Sequence, residues 1–535
     1  MIKKDRLDFK DLISEEKTFI LVIILGAIKS LLTVTFAYLI GIIIDSIGKS
    51  SYEMLKKVGI YILVAVALYF LISFLYNTTA SKLVYRQSVG VKNKIFKRLD
   101  DFDLVEYSSM DKSYYINMLT EDVNIISKDY FRIRHEVYVQ VISFIISLIA
   151  IIYISWSMTL IFLGIILITM LIPNFLSPIQ QRKTEDFSLR SKENFSNLNE
   201  YLQGFFVYKG LGLEGPLDSM KENDKKFEKS RMDMNFTNDM VIDTIEVVSI
   251  LGQVGCMFVG AFFAIKGTIT TGALIAAVQL LNGIFAPVQT ISIYNNRIRA
   301  SSALREKVTN LLSIIEPVKE KFTSLNRGIS LNSYSLDLGH KEIIKNFTYT
   351  FEKGLSYIII GPSGSGKSSL MKAILGYYNS NDKKIKYDNL DLEDIDKKDL
   401  YKNIRYVPSE TFIFKGSVED NICLGRDVDN SHLISEVYKL GFDEDFLRRR
   451  LSEENLVELS SGEQKRISIL RATIDHPEVV IFDEPTANLD KKSSRYVKNY
   501  INNYKAKIKI VISHDYDDAY LNEFDKVIDF ENKII

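Results

Sequence analysis

The chain has 535 residues, enough for two or three domains of ordinary size. Its 67 Lys+Arg balance 67 Asp+Glu, and a zero net charge argues against nucleic acid as a partner. The two cysteines, Cys256 and Cys423, lie in different halves, which leaves no disulfide framework or cysteine-based metal site to be read.

The N-terminal segment up to Lys17 is charged with mixed sign. It lacks the apolar core and small-residue cleavage site of a removable signal peptide. Six apolar stretches follow, at about 19–44, 58–76, 137–155, 158–172, 240–265 and 272–293. A helix crosses a bilayer with roughly 20 apolar residues, so six spans are expected. A polar pinch at Ser155, Trp156 and Ser157 separates the third from the fourth.

Basic residues orient these spans. Lys3, Lys4, Arg6, Lys10 and Lys17 precede the first. Lys82, Arg86, Lys92, Lys94, Lys97 and Arg98 follow the second, and Arg182, Lys183, Arg190 and Lys192 follow the fourth. The positive-inside rule places all three segments, and both termini, in the cytoplasm; Lys49, Lys56 and Lys57 are a mild exception on the other side. The two long cytoplasmic connections, of about 60 residues each, exceed ordinary loops. Val84, Val91, Ile95 and Leu99 recur at helical spacing, as do Leu198, Tyr201, Leu202 and Phe205. Spans two to five are therefore expected to continue as helices outside the membrane.

Lys29, Gln140, Asp243, Glu246, Gln253, Gln279 and Gln289 lie in or near the spans. Ionisable groups there usually face the bundle interior or water. Glu246 and Gln253, seven apart, share one helix face. They either line a cargo cavity or hydrogen-bond between helices. Pro287 is expected to kink the last span.

Hydropathy falls after residue 304. Residues 315–328 read as a linker and 329–535 as a soluble α/β domain. There an apolar strand at 357–360 runs into Gly361-Pro362-Ser363-Gly364-Ser365-Gly366-Lys367-Ser368, and Ser369 opens a helix. This is G-x-x-x-x-G-K-S in a strand–loop–helix setting. The glycines let backbone N–H groups converge on phosphate oxygens, and the helix N-terminus adds its positive end. Lys367 supplies charge to the β/γ-phosphates, and Ser368 offers a hydroxyl to Mg²⁺. A second strand, 479–482, ends in Asp483 and Glu484. Asp483 is positioned for Mg²⁺, and Glu484 for orienting or deprotonating the attacking water.

In this order the motifs resemble an ABC half-transporter of exporter type. Leu459-Ser460-Ser461-Gly462-Glu463, continued by Gln464, Lys465 and Arg466, resembles the ABC signature. The stretch 485–490 resembles the D-loop, with Asp490 at its key position. His514 follows a strand, like the family's switch histidine. In the membrane half, Ile44-Asp45, Glu121-Asp122-Val123, Gly272-Ala273-Leu274 and Pro287 are similar to family features. Coupling helices are expected near 111–117 and 200–212.

The resemblance implies a six-helix membrane bundle with long cytoplasmic extensions (1–314), fused to an α/β P-loop ATPase domain (329–535). It also implies ATP sandwiched between the phosphate loop of one domain and Ser460 and Gly462 of another. The chain is then a subunit of a dimer in the cytoplasmic membrane, with a homodimer slightly preferred to a heterodimer. Cargo is expected to be small or amphipathic: a peptide, lipid or drug-like molecule. Export is favoured; import of a metal chelate and ATP-dependent regulation without transport are the alternatives.

The sequence also departs from the family. Ser461 and Glu463 replace a glycine and a glutamine of the signature. Ser409 stands where the glutamine of the Q-loop reaches Mg²⁺ and water, with Glu410 next to it. Leu338 occupies the place of the aromatic that stacks on adenine, with Tyr334 as the weaker substitute. Residues 453–458 lack the usual glycines.

Overall fold

Helix α1 (Glu16–Gly48) is apolar on almost every side, as a helix bordered by lipid must be. It opens a computed structural model that describes residues 9, 15–48, 50–313, 319–338, 341–378, 383–451, 459–514 and 516–530, with side chains at 165–174, 177, 245, 288, 289 and 292 excepted. Lys3, Lys4, Arg6, Lys10 and Lys49, the start of the linker, the side chain of Gln289 and the stretch 453–458 lie outside the described residues.

The chain divides into two compact units: Met1–Arg98 with Ser113–Ile314, and Leu99–Lys112 with Ile315–Ile535. In the first, α1 is followed by α2 (Tyr52–Asp101), α3 (Lys112–Ile154, with two π-turns), α4 (Trp156–Gly210), α5 (Leu217–Ile265), α6 (Thr271–Ala300) and α7 (Ser302–Leu312). Among the described residues, α1, α2, α3 and α5 are each long and apolar enough to cross a membrane, and Thr271–Pro287 is a shorter apolar helix. The apolar start of α4, the expected fourth span, has most of its side chains outside the described residues. Helix α2 has 50 residues and α4 has 55. At 1.5 Å per residue each is at least about 75 Å long, more than twice a bilayer core of about 30 Å, so much of each helix extends beyond the membrane.

Local chemistry sets the helix ends. Ser155 has extended backbone, ends α3 and caps α4 by accepting from the Met158 N–H at 3.4 Å. Thr270 caps α6 by accepting from the Ala273 N–H. Asp45 of α1 reaches the same turn, accepting from the Gly272 N–H at 2.8 Å and the Thr270 hydroxyl at 2.7 Å. A Cβ on Gly272 would collide with the Gly41 carbonyl oxygen, so a glycine is needed where α1 and α6 cross. Helix α6 continues through Pro287 to Ala300. Lys29, on α1, lies with its ammonium 5.7 Å from the Tyr69 ring centre and 5.3 Å from that of Tyr76. Glu246 and Asp243 are exposed on α5, and Gln253 is half-buried.

Among the described residues the second unit holds two larger sheets and a two-stranded one that pairs Gly416–Ser417 with Arg450–Leu451. An antiparallel sheet contains β1 (Gly328–Leu338), β2 (Lys341–Glu352), β4 (Ile385–Tyr387) and β5 (Leu390–Asp391), in the order β2-β1-β4-β5. A parallel sheet contains β3 (Ser356–Ile360), β6 (Ile404–Val407), β7 (Val479–Asp483), β8 (Ile508–Ile512) and β9 (Lys526–Asp529), in the order β9-β3-β8-β7-β6. Strands β7 and β8 are buried along their whole length, as parallel strands covered on both faces are. Phe322 and Leu325, inside the stretch read as a linker, are buried in the same core.

One expectation changes. The first coupling helix was expected at 111–117, but the segment that packs into the second unit is 99–112, with a short helix at Leu104–Ser108. Asp103 caps that helix and pairs with Lys319 at 3.7 Å, while Asp101 pairs with Lys398 at 2.6 Å. These acids lie upstream of the residues that the motif suggested.

Candidate functional site

The site forms at the carboxyl ends of adjacent parallel strands, where ligands bind open α/β sheets. Strand β3 delivers the loop from Gly361 to Ser368, and helix α8 (Lys367–Ile374) carries it away. Gly364 and Gly366 take the left-handed conformation that the turn requires, at φ +79° and +102°. A Cβ on Gly366 would press on Ile343 of β2 at 3.1 Å. Ser363 and Gly364 are exposed, Ser365 and Ser369 half-buried. The Lys367 ammonium is buried and folds back onto the loop, donating to the carbonyls of Gly361 at 2.9 Å and Pro362 at 2.6 Å and to the Ser365 hydroxyl at 3.3 Å. Burial lowers its pKa, and the charges of Glu484 and Asp483 oppose that shift.

Strand β7 delivers Asp483, which is almost fully buried. Its Oδ1 accepts from the Ser368 hydroxyl at 3.0 Å, and its Oδ2 accepts from the Tyr406 hydroxyl at 2.6 Å. Ser368 and Asp483 thus bring two side-chain oxygens together. Among the described residues no cluster of three His, Cys, Asp or Glu side chains could hold a metal unaided. A Mg²⁺ at Ser368 and Asp483 therefore needs phosphate oxygens and water to complete its shell, the usual arrangement for this ion.

Glu484 has φ +48°, a left-handed conformation that costs a non-glycine residue about 1 kcal/mol or more. Its N–H bonds to the Ile512 carbonyl at 3.0 Å, which holds the turn. The turned side chain meets His514, whose Nε2 lies 3.1 Å from Glu484 Oε1. The structure thus unites the phosphate loop, Asp483, Glu484 and His514, from three neighbouring strands.

The remaining candidates lie on helix α9 (Ser461–Thr473), on helix α10 (Lys491–Asn503) and beside β1 and β6. Ser460 caps α9 in a reciprocal box with Glu463. A Cβ on Gly462 would touch Ser493 Oγ at 3.3 Å, and the Ser461 hydroxyl donates to the Asn488 carbonyl at 3.2 Å. Asp490 caps α10, accepting from the N–H groups of Lys492 at 2.9 Å and Ser493 at 3.0 Å. Ser409 is exposed just past β6. Tyr334 is 2% exposed in the core, so it has no face to offer a nucleotide; Leu338 is 41% exposed at the end of β1.

Comparison with known proteins decides the family. A model described as the ABC transporter transmembrane region matches residues 19–288, just over half of the chain, and one described as ABC transporter matches 344–487. The chain belongs to the ABC transporter family. It is a multi-pass membrane protein and an ATPase coupled to transport. The transporter is 23% identical over 538 residues to an ATP-dependent lipid A-core flippase of Legionella pneumophila, a match covering 96% of this chain and 90% of that protein. It is 25% identical over 358 residues to the lactococcin-G-processing and transport ATP-binding protein LagD of Lactococcus lactis. That match covers 64% of this chain and only 50% of the relative. A bacterial Atm1-family ABC exporter with ATP bound shares the fold, at TM-score 0.79 and 16% identity, over 96% of this chain and 92% of that one.

Two groups in the transporter's site escaped the motifs. Tyr406, half-buried and bonded to Asp483, lies in β6 three residues before Ser409. Lys465, within the signature helix, reaches the Q-loop backbone. A lysine inside a motif otherwise read for its glycines was the available signal.

Proposed function

We propose that two copies of this chain form an ATP-driven exporter that moves a small amphipathic molecule across the cytoplasmic membrane. One observation carries the reading: the transporter has one phosphate loop, with Asp483, Glu484 and His514 assembled around it, and one signature helix. A sandwich of the family's kind needs a second signature from another subunit. Glu484 and His514 are both in place, so this chain can supply a hydrolytic site without a specialised partner, which favours the homodimer.

In this reading Lys367 turns from the Gly361 and Pro362 carbonyls to the β/γ-phosphates when ATP enters. The loop amides and the start of α8 bind the phosphate oxygens. Ser368 and Asp483 would hold Mg²⁺, which would supply positive charge against the phosphates. Glu484, set by its strained backbone and by His514, orients or deprotonates the attacking water. Ser460 and Gly462 of the second subunit close over the γ-phosphate, and Asp490 lies at the same interface. Closure is favoured because these contacts exist only with ATP in place, and hydrolysis releases them.

The similarity to a lipid flippase and to the Atm1-family exporter fold, each spanning nearly the whole chain, supports export over import. Lys29 bears on the cargo. It lies within a membrane helix beside two tyrosine rings, and among the described residues no carboxylate forms a salt bridge with it. A membrane-embedded cation usually marks a transport path, so the cargo is expected to carry an anionic group. The test is flux in inverted vesicles, with Glu484→Gln as the inactive control. ATP-dependent uptake of an anionic amphiphile, lost in Lys29→Met, supports the reading. ATPase activity without flux of any amphiphile would overturn it.

A further inference from the structure

Helix α9 does more than present the signature, because three of its side chains lace the loop that follows β6. The Lys465 ammonium donates to the carbonyls of Pro408 at 3.0 Å and Ser409 at 2.7 Å. Gln464 accepts from the Thr411 hydroxyl at 3.3 Å. Arg471 donates to the Phe412 carbonyl at 2.8 Å and also holds Asn421. Of the three, Lys465 is the most buried, at 3% exposure, and among the described residues no carboxylate pairs with it. A buried ammonium without a salt bridge is costly unless its donors are used and opposite charge is near. Two donors go to the loop carbonyls. Asp483 and Glu484 are near enough for their charges to offset part of the burial.

Ser409 carries a single hydroxyl where the family's Q-loop has a glutamine. The loop offers its backbone carbonyls to Lys465. We propose that Lys465 is a positioning residue that replaces the missing glutamine link: it clamps the 408–409 backbone to the signature helix and sets positive charge beside Asp483 and Glu484. The clamp makes the loop and the signature move as one body. A displacement of the loop is then transmitted to Ser460 and Gly462 through the backbone, where a glutamine would act through its side chain. The inference goes beyond the exporter reading and needs only the ATPase.

The test compares Lys465→Met, Lys465→Gln and Lys465→Met combined with Ser409→Gln, in full-length transporter in nanodiscs. Lys465→Met is expected to lower kcat for ATP at least tenfold while KM changes less than twofold, since the clamp positions the attack rather than binding nucleotide. Adding Ser409→Gln is expected to recover at least threefold of that loss. A lysine that merely satisfied buried carbonyls would not be rescued by a side chain at 409 that leaves those carbonyls unpaired. An unchanged kcat in Lys465→Met, or a double variant no faster than the single one, overturns the proposal. If Lys465→Met does not fold, the same comparison is made in Lys465→Gln, which keeps a donor and removes the charge. Full activity there, with or without Ser409→Gln, also overturns it.

Discussion

Glu463 holds Ser460 twice, its Oε2 accepting from the Ser460 N–H and from the Ser460 hydroxyl, both at 2.8 Å. These donors lie at the signature's end of α9, where the proposed sandwich brings the γ-phosphate of the opposing subunit. A carboxylate there caps the helix well but repels the phosphate. Its nearest described cation is Arg449, 3.9 Å away. Glu463→Gln keeps the cap and removes the charge. It is expected to lower KM for ATP about fivefold, from roughly 1 kcal/mol of relieved repulsion. Steady-state ATPase assays at two salt concentrations check this, since the gain should shrink as salt screens the charge. An unchanged KM at low salt would remove the repulsion from the account.

Glu484→Gln should leave ATP binding intact and lower kcat by about 10²-fold or more, the usual contribution of a positioned general base. The strained backbone at φ +48° adds a second expectation. Glu484→Gly relieves the strain while abolishing turnover, so it should raise thermal stability by a few tenths to about 1 kcal/mol. A calorimetric scan with and without nucleotide separates the two effects.

Tyr406→Phe removes the donor to Asp483 Oδ2 and keeps the ring. An orphaned buried carboxylate oxygen costs about 1–3 kcal/mol. Asp483 also holds Ser368, so the loss should appear in the Mg²⁺ dependence of ATPase before it appears in nucleotide affinity. Mg²⁺ titration at saturating ATP reads it directly. Equal shifts in both would mean that Tyr406 supports the fold alone.

Ser409→Gln in an otherwise unchanged transporter installs the glutamine that the family's Q-loop carries. It is expected to change cargo stimulation of ATPase more than ATP affinity. Equal effects on the two would sink the idea that position 409 tunes coupling.

Asp45→Ala strips the cap from the first turn of α6 and the partner from Thr270. Loss of such a cap costs about 1 kcal/mol. Gly272→Ala should cost more, because the Gly41 carbonyl blocks its Cβ and two helices must separate. Thermal unfolding in detergent should rank the variants wild type, Asp45→Ala, Gly272→Ala in falling stability.

The phosphate loop, Asp483, Glu484, the signature and His514 were legible from sequence, because each rests on short-range geometry. A turn that needs left-handed glycines beside an apolar strand writes itself into consecutive residues. Membrane helices were legible for the same reason: lipid imposes one composition over about 20 neighbours. What needed the fold is set by partners far apart in the chain. Asp45 meets Gly272, Tyr406 meets Asp483, Lys465 meets Ser409, and Asp101 meets Lys398. None of these pairs has a fixed spacing, since each joins elements brought together only when helices cross or parallel strands align. Tyr334 shows the converse. Its sequence position suggested an adenine platform, and the pairing of β1 with β2 turned its ring into the core. Local backbone chemistry therefore specified that this chain binds ATP and enters a membrane, while long-range packing decided which side chains bond to Asp483 and which helix holds the 408–409 backbone.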